Sequence, residues 1–150
     1  EEAKIVTDIL RRIYKFYGVK FNADKTVGVI VPYRNQISMI RKEIEKLGIP
    51  QLEEISIDTV ERYQGSQRDV IIYSFTIQNR YQLDFLTSNC FEEDNHIIDR
   101  KLNVAITRAR MKLIILGNAS TLTKHAFYKH LYKYIQEKGK IISLCELATC

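Results

Sequence analysis

"EISIDTVERYQGSQRDVIIYSF", Glu54 to Phe75, places two strand-like runs on either side of a charged loop. The second run, "DVIIYSF" from Asp69 to Phe75, is apolar without alternation. A strand of that kind is buried on both faces, which happens where helices cover both sides of a parallel sheet. The first run, "EISIDTV" from Glu54 to Val60, is a shorter strand candidate. The loop between them carries Gln64 and Gly65 in a polar setting. A surface turn would account for it, and so would a loop that handles a ligand at the edge of a sheet.

Working outward, the same alternation of strand and helix recurs. Ile5, Ile9 and Ile13, with Val6, Leu10 and Tyr17 beside them, predict a helix over residues 1–17 that Gly18 stops. "VGVIV", Val27 to Val31, reads as a buried strand ended by Pro32. Ile37, Ile40, Ile44 and Leu47 line one face of a second helix, closed by Gly48 and Pro50. Residues 77–98 read as a long polar excursion, of the sort that is functional or mobile in compact domains. "DRKLNVAITRAR", 99–110, reads as a helix, "KLIILGN" as a fourth strand, and 119–138 as a last helix. In that last helix Phe127, Leu131, Tyr134 and Ile135 are expected in the core, with Lys124, Lys129, Lys133 and Lys138 on a wet face. The order predicts an α/β layered domain whose ligands meet the loops at strand ends. The C-terminal "LCELATC" has no role in this scheme.

The 150 residues fit one domain able to bury a continuous core. No apolar run approaches the roughly 20 residues of a membrane helix, and the opening Glu1-Glu2 does not resemble a signal peptide, so no membrane is expected. Cys90, Cys145 and Cys150 are odd in number and lack CxxC spacing, which points to reduced thiols and a cytoplasmic setting. His96, His125 and His130 do not complete a zinc pattern, so no metal site is expected. The net charge of +5 is unevenly spread: residues 1–50 carry +4, residues 51–100 carry −6 and residues 101–150 carry +7. A basic surface that meets phosphate is compatible with this, as is a solvated lysine-rich helix face.

Chemistry-bearing motifs are sparse. There is no GxxxxGK[ST] loop, no GxGxxG and no GxSxG. Glu92-Glu93-Asp94 reads as solvated loop charge. The arginines are more telling. Arg108 and Arg110, in "TRAR", fall near the end of a helix, where a cation is welcome through the helix dipole or is offered to a phosphate. Arg34, beside Tyr33 in "VPYRNQ", stands at a helix start, where a cation is disfavoured unless something anionic compensates it.

Taken together, "VGVIVPYRNQ", "IDTVERYQGSQRDVIIYSF" and "DRKLNVAITRARMKLIILGN" resemble motifs IV, V and VI of superfamily 1 helicases, in the AAA-type branch of senataxin and the nonsense-mediated-decay helicase. The resemblance covers roughly residues 1–142. It implies the second RecA-like domain of the motor: three layers, a mostly parallel sheet, and a P-loop NTPase-type fold without its own phosphate-binding loop. The first RecA-like domain, absent from this chain and expected N-terminal to Glu1, would hold ATP and Mg. By the same resemblance Arg108 is the motif VI arginine that reaches the γ-phosphate, and Arg34 a second arginine at that phosphate. In some relatives the second arginine falls where this chain has Ile37. Gln64, Gly65, Gln67 and Tyr33 match nucleotide-side positions, with Gln67 standing where relatives carry a glutamate. Thr59, Arg62 and Tyr63 match positions beside the nucleic acid. Asp69 is expected to order the cleft by pairing with a motif VI arginine such as Arg110.

The function so implied is the C-terminal motor domain of an ATP-dependent DNA or RNA helicase, inactive and monomeric in isolation. Its partners would be a single strand of DNA or RNA and the first domain. Two rival readings stay open. One is a non-catalytic module of RecA-like fold that binds nucleic acid or protein through the lysine-rich helix. The other is a flavodoxin-like enzyme, for which "PYRNQ" lacks the required glycine.

Overall fold

The computed structural model describes residues 1–63, 66–88, 90–93 and 96–149. Four parallel strands make the central sheet: β1 (Val27–Val31), β2 (Ser56–Thr59), β3 (Arg68–Ser74) and β6 (Ala109–Leu116), in the order β2-β1-β3-β6. Val31 pairs with Thr59, Val27 with Val70, and Ser74 with Leu116. A register shift lies between Arg68 and Val70 at the start of β3. Successive side chains of a strand point to opposite faces, so the unbroken apolar runs feed two cores. Val27, Val29, Val31, Val70 and Ile72 face α1 (Glu2–Tyr17), α2 (Asn35–Glu45) and the short α3 (Pro50–Glu53), meeting Val6, Leu10, Ile40, Ile44 and Leu52. Ile30, Ile71, Tyr73 and Phe75 face the other way, against α4 (Arg80–Thr87), α5 (Arg100–Arg108), α6 (Ala119–Leu122) and α7 (Ala126–Lys138). Fully burying a valine or isoleucine contributes about 1.5–3 kcal/mol, so the strands are held from both sides. The α/β three-layer expectation holds.

Several local expectations change. Within 77–98 the described residues are not a structureless loop: they build α4 and an antiparallel pair of strands, β4 (Cys90–Glu93) and β5 (His96–Asp99). The polarity of the segment belongs to the outer face of α4, while Leu83 and Leu86 are buried beneath. The 99–110 helix stops at Arg108, so Arg110 belongs to β6. β6 pairs with β3 alone among the described strands, and as an edge strand it is only half buried, with Met111 exposed. The last helix breaks into α6 and α7. In α7 the deeply buried residue is Tyr128, while Tyr134, expected in the core, is 59% exposed. Lys124, Lys129, Lys133 and Lys138 are all exposed, as their spacing predicts. The C-terminal stretch forms α8 (Leu144–Thr149), tied back by Arg12, which donates to the Leu147 carbonyl at 2.6 Å.

Two close approaches shape the site. Gly28 sits in the middle of β1, and a Cβ there would fall 1.8 Å from the Tyr63 hydroxyl. Glycine inside a strand marks such an approach: Tyr63 lays its ring across the sheet at this point. At the carboxyl end of β3, Thr76 takes φ 57, an unusual value for a β-branched residue. The Glu2 carboxylate accepts from the Ser74 hydroxyl at 2.6 Å and the Thr76 N–H at 3.1 Å, holding the bend.

Candidate functional site

α5 runs between the two groups of residues singled out by sequence. It begins at Asp99, whose carboxylate accepts from the Lys101 and Leu102 N–H groups at 2.9 and 3.1 Å. Such an N-cap satisfies donors the helix leaves open. Asp99 is 2% exposed and also accepts from the Tyr128 hydroxyl at 2.6 Å. Burial, then the neighbouring Asp99 charge, pushes the Tyr128 phenol far above its ordinary value; Tyr73 is raised by the same two causes. Both tyrosines are therefore neutral at any physiological pH.

At this end of α5, Lys101 forms an ion pair with Glu61 at 3.1 Å and lies 5.9 Å from the centre of the Tyr33 ring. Burial works to raise the Glu61 carboxyl, but its own backbone hydrogen bond and Lys101 outweigh it and hold the group below the usual range. Burial pushes Tyr33 up. Tyr33 in turn packs on Phe85, with ring centres 5.8 Å apart. Arg34, next in the chain, is exposed.

Seven residues on, about 10.5 Å along the axis at 1.5 Å per residue, α5 ends at Arg108. The side chain is half-buried, and its Nε is shielded from solvent with no hydrogen-bond partner. Gln67 donates to the Thr107 carbonyl at 3.4 Å, which brings the loop before β3 against this helix end. Arg110 is different: its Nη2 lies 2.9 Å from the Asp69 carboxylate and donates to the Lys25 carbonyl at 3.4 Å. Tyr17 reaches the other Asp69 oxygen at 3.5 Å. The Asp69–Arg110 pairing read from the sequence is present. Among the described residues neither Arg108 nor Arg34 joins an ion pair.

The structure brings Gln67 to Thr107, the neighbour of Arg108, and Tyr33 to Lys101, but it does not pair Arg34 with Arg108. Arg34 follows the carboxyl end of β1, whereas Arg108 precedes the amino end of β6, and α5 separates them. Of Thr59, Arg62 and Tyr63, only Arg62 presents its side chain to solvent, at 60% exposure with Asp58 4.0 Å away. Tyr63 is 4% exposed and serves packing, and Thr59 is 5% exposed with its carbonyl closing the turn to Arg62 and Tyr63. Gln64 and Gly65 lie outside the described residues. A cavity of about 200 Å³ opens beside β2, where Arg41, Asp58, Arg62 and Ser66 line it; it does not reach Arg108.

Sequence reading did not single out Arg68, Lys101, Asp99 or Tyr128. Arg68 is 5% exposed, donating to the Gln67 carbonyl at 3.0 Å and the Ser56 hydroxyl at 2.9 Å, with its guanidinium 5.9 Å from the Tyr63 ring centre. The available signals were Gly28 inside a strand and an aspartate directly before an amphipathic helix. No helix among the described residues is long and apolar enough to cross a membrane.

A family model described as an AAA domain matches residues 1–120. "Probable helicase senataxin" from Homo sapiens is 32% identical over 149 residues, covering 97% of this chain and 5% of that protein. "Regulator of nonsense transcripts 1 homolog" from Neurospora crassa is 36% identical over 145 residues, covering 94% of this chain and 12% of that protein. "DNA replication ATP-dependent helicase/nuclease dna2" from Schizosaccharomyces pombe is 34% identical over 131 residues, covering 86% and 8%. The chain thus spans between 5% and 12% of the length of these relatives.

Proposed function

Since this chain belongs to the matched AAA-domain family and to the superfamily 1 helicases, we propose that it is the second RecA-like domain of an ATP-driven nucleic-acid motor. Its part is to offer Arg108 across a cleft to a triphosphate held by a first domain. The observation that carries this reading is the contrast at the end of α5: Arg110 is neutralised by Asp69, while Arg108 has no carboxylate among the described residues and keeps a shielded, unpartnered Nε.

An unpartnered guanidinium fits a phosphate, because its planar fork is permanently charged and binds oxygens in pairs. ATP with Mg, held mainly by the first domain, supplies the phosphoanhydride to be cleaved. Arg108 donates to the oxygens of the transferring phosphoryl group, where charge spreads in the transition state. Such a finger contributes about 10³–10⁵ in rate. Arg34 follows the carboxyl end of β1, at the opposite edge of the parallel sheet from Arg108, so closure of the domain as a body does not bring it to the same phosphate. Gln67, anchored to the Thr107 carbonyl, stays beside Arg108 and offers an amide to the sugar, with Gln64 and Gly65 on the same nucleotide side. Arg62 contacts the backbone of the single strand, with Thr59 and Tyr63 shaping the loop beneath it. Asp69 and Arg110 keep the root of β6 in place, so closure moves the domain as a body along the strand.

The test is Arg108→Ala in the full-length protein. Unwinding should be abolished with nucleotide binding retained. Hydrolysis within a few-fold of wild type would remove the finger assignment.

A further inference from the structure

α5 opens with two cations, Arg100 and Lys101, in its first turn. The helix dipole disfavours positive charge there, so the stability of the helix itself does not account for Lys101. The lysine is also poorly solvated: its side chain is 15% exposed and its nitrogen lies 5.9 Å from the centre of the Tyr33 ring. Glu61 offsets both costs, with its carboxylate 3.1 Å from that nitrogen. Glu61 belongs not to the helix but to the turn that follows β2.

That turn is braced as one piece. The Thr59 carbonyl accepts from the Arg62 N–H at 3.1 Å and from the Tyr63 N–H at 2.9 Å. Arg62, next to Glu61 in the chain, turns its side chain to solvent. Beyond Gln64 and Gly65, Gln67 donates to the carbonyl of Thr107, the residue before Arg108. Glu61 and Gln67 thus hold α5 at both ends, at Lys101 and at Thr107, about 9 Å apart along the axis at 1.5 Å per residue. α5 holds no proline or glycine that would kink it between those points, so a displacement at Lys101 is carried to Arg108.

We propose that Glu61 and Lys101 are a positioning pair that couples the nucleic-acid strand to the finger: engagement of Arg62 by a backbone phosphate is passed through Glu61, Lys101 and α5 to Arg108. This rests on the motor reading above and deepens it by naming the connection between its two ligands. With a strand bound, a phosphate fixes Arg62 and with it the turn. Glu61 then holds the amino end of α5, and Arg108 at the carboxyl end meets the triphosphate in its productive orientation. Without a strand the turn keeps its own hydrogen bonds but lacks that anchor, and Arg108 is presented less often. The two-state element is the cleft, open or closed. Coupling between binding sites is reciprocal, so nucleotide also tightens the grip on the strand.

The test measures phosphate release by the full-length protein with and without saturating oligothymidylate or oligouridylate, and strand affinity by anisotropy of the fluorescein-labelled oligonucleotide. Lys101→Met keeps an unbranched stem and removes the charge. It should leave strand-free hydrolysis and strand affinity within about twofold, and lower stimulation by the strand about fivefold or more, as expected for a lost coupling between sites. Glu61→Gln should do the same. Exchanging the charges, Glu61→Lys with Lys101→Glu, should restore at least about half of the wild-type stimulation, which neither a folding defect nor a lost strand contact would do; a carboxylate also suits the start of α5. Stimulation within about twofold of wild type in both single variants overturns the coupling, and so does an exchanged protein with no recovery. Equal loss of stimulated and strand-free hydrolysis overturns it as well, because a merely structural pair lowers both. Strand affinity weakened more than about tenfold overturns it too, since the two residues would then touch the strand themselves. A wild-type protein that binds the strand without being stimulated overturns the coupling alone, and one that binds no strand overturns the nucleic-acid reading with it.

Discussion

The two ends of α5 are built on opposite terms. At its start the helix cap is matched: Asp99 accepts from the Lys101 and Leu102 N–H groups and from the Tyr128 hydroxyl, and is 2% exposed. At its end Arg108 has a shielded Nε with no partner. An unsatisfied buried donor costs about 1–3 kcal/mol, a cost that persists where surrounding structure enforces it and function uses it. Two residues further, Arg110 differs in having a carboxylate, Asp69, at 2.9 Å.

The sharpest break in this contrast should come from comparing the two arginines. In the full-length protein Arg108→Ala should lower hydrolysis by about 10³ or more, and Arg110→Ala by less than about tenfold, as measured by steady-state phosphate release. Equal losses would erase the distinction between them.

At the matched end the effect should appear in stability. Asp99→Ala removes the cap and strands the Tyr128 hydroxyl, a loss of about 2–4 kcal/mol in urea unfolding. The same cluster sets an alkaline limit. Tyr128 and Tyr73 are raised above 10.0 in the fold, so stability is fully present below pH 10.0 and falls as pH climbs past it. Tyr128→Phe should flatten that decline, and an unchanged slope would deny the tyrosine its part.

A smaller effect is expected where Tyr63 crosses the sheet. Gly28→Ala drives a methyl into the Tyr63 hydroxyl and should cost about 1–3 kcal/mol. Adding Tyr63→Phe should recover part of the loss, and simple additivity would show that the two do not meet. The smallest change belongs to the half-exposed Asp69–Arg110 pair, where Asp69→Asn should cost about 0.2–1 kcal/mol in salt-sensitive fashion.

The sheet was legible because "VGVIV" and "DVIIYSF" are apolar without alternation, which leaves burial on both faces as their stable arrangement. The Asp69–Arg110 pair was legible by resemblance. Less visible was the 77–98 region: its two inward leucines are too few to set a periodicity, and its outward Tyr81 and Phe85 obscure it further. Tyr134 was misplaced because Tyr128, one position off the assumed stripe, takes the deep site under Asp99 and Phe75. Tertiary contacts of that kind leave no local signature. The separation of Arg34 from Arg108 was equally hidden, since it depends on which strand end each segment meets.

The most direct measurement is a structure of the full-length protein with ADP, aluminium fluoride and a single strand. The account predicts both Arg108 terminal nitrogens within about 3 Å of the fluoride oxyanion mimic, with Asp69 still bound to Arg110. An Arg108 side chain folded back on its own domain, paired with a carboxylate and far from the nucleotide, would contradict it.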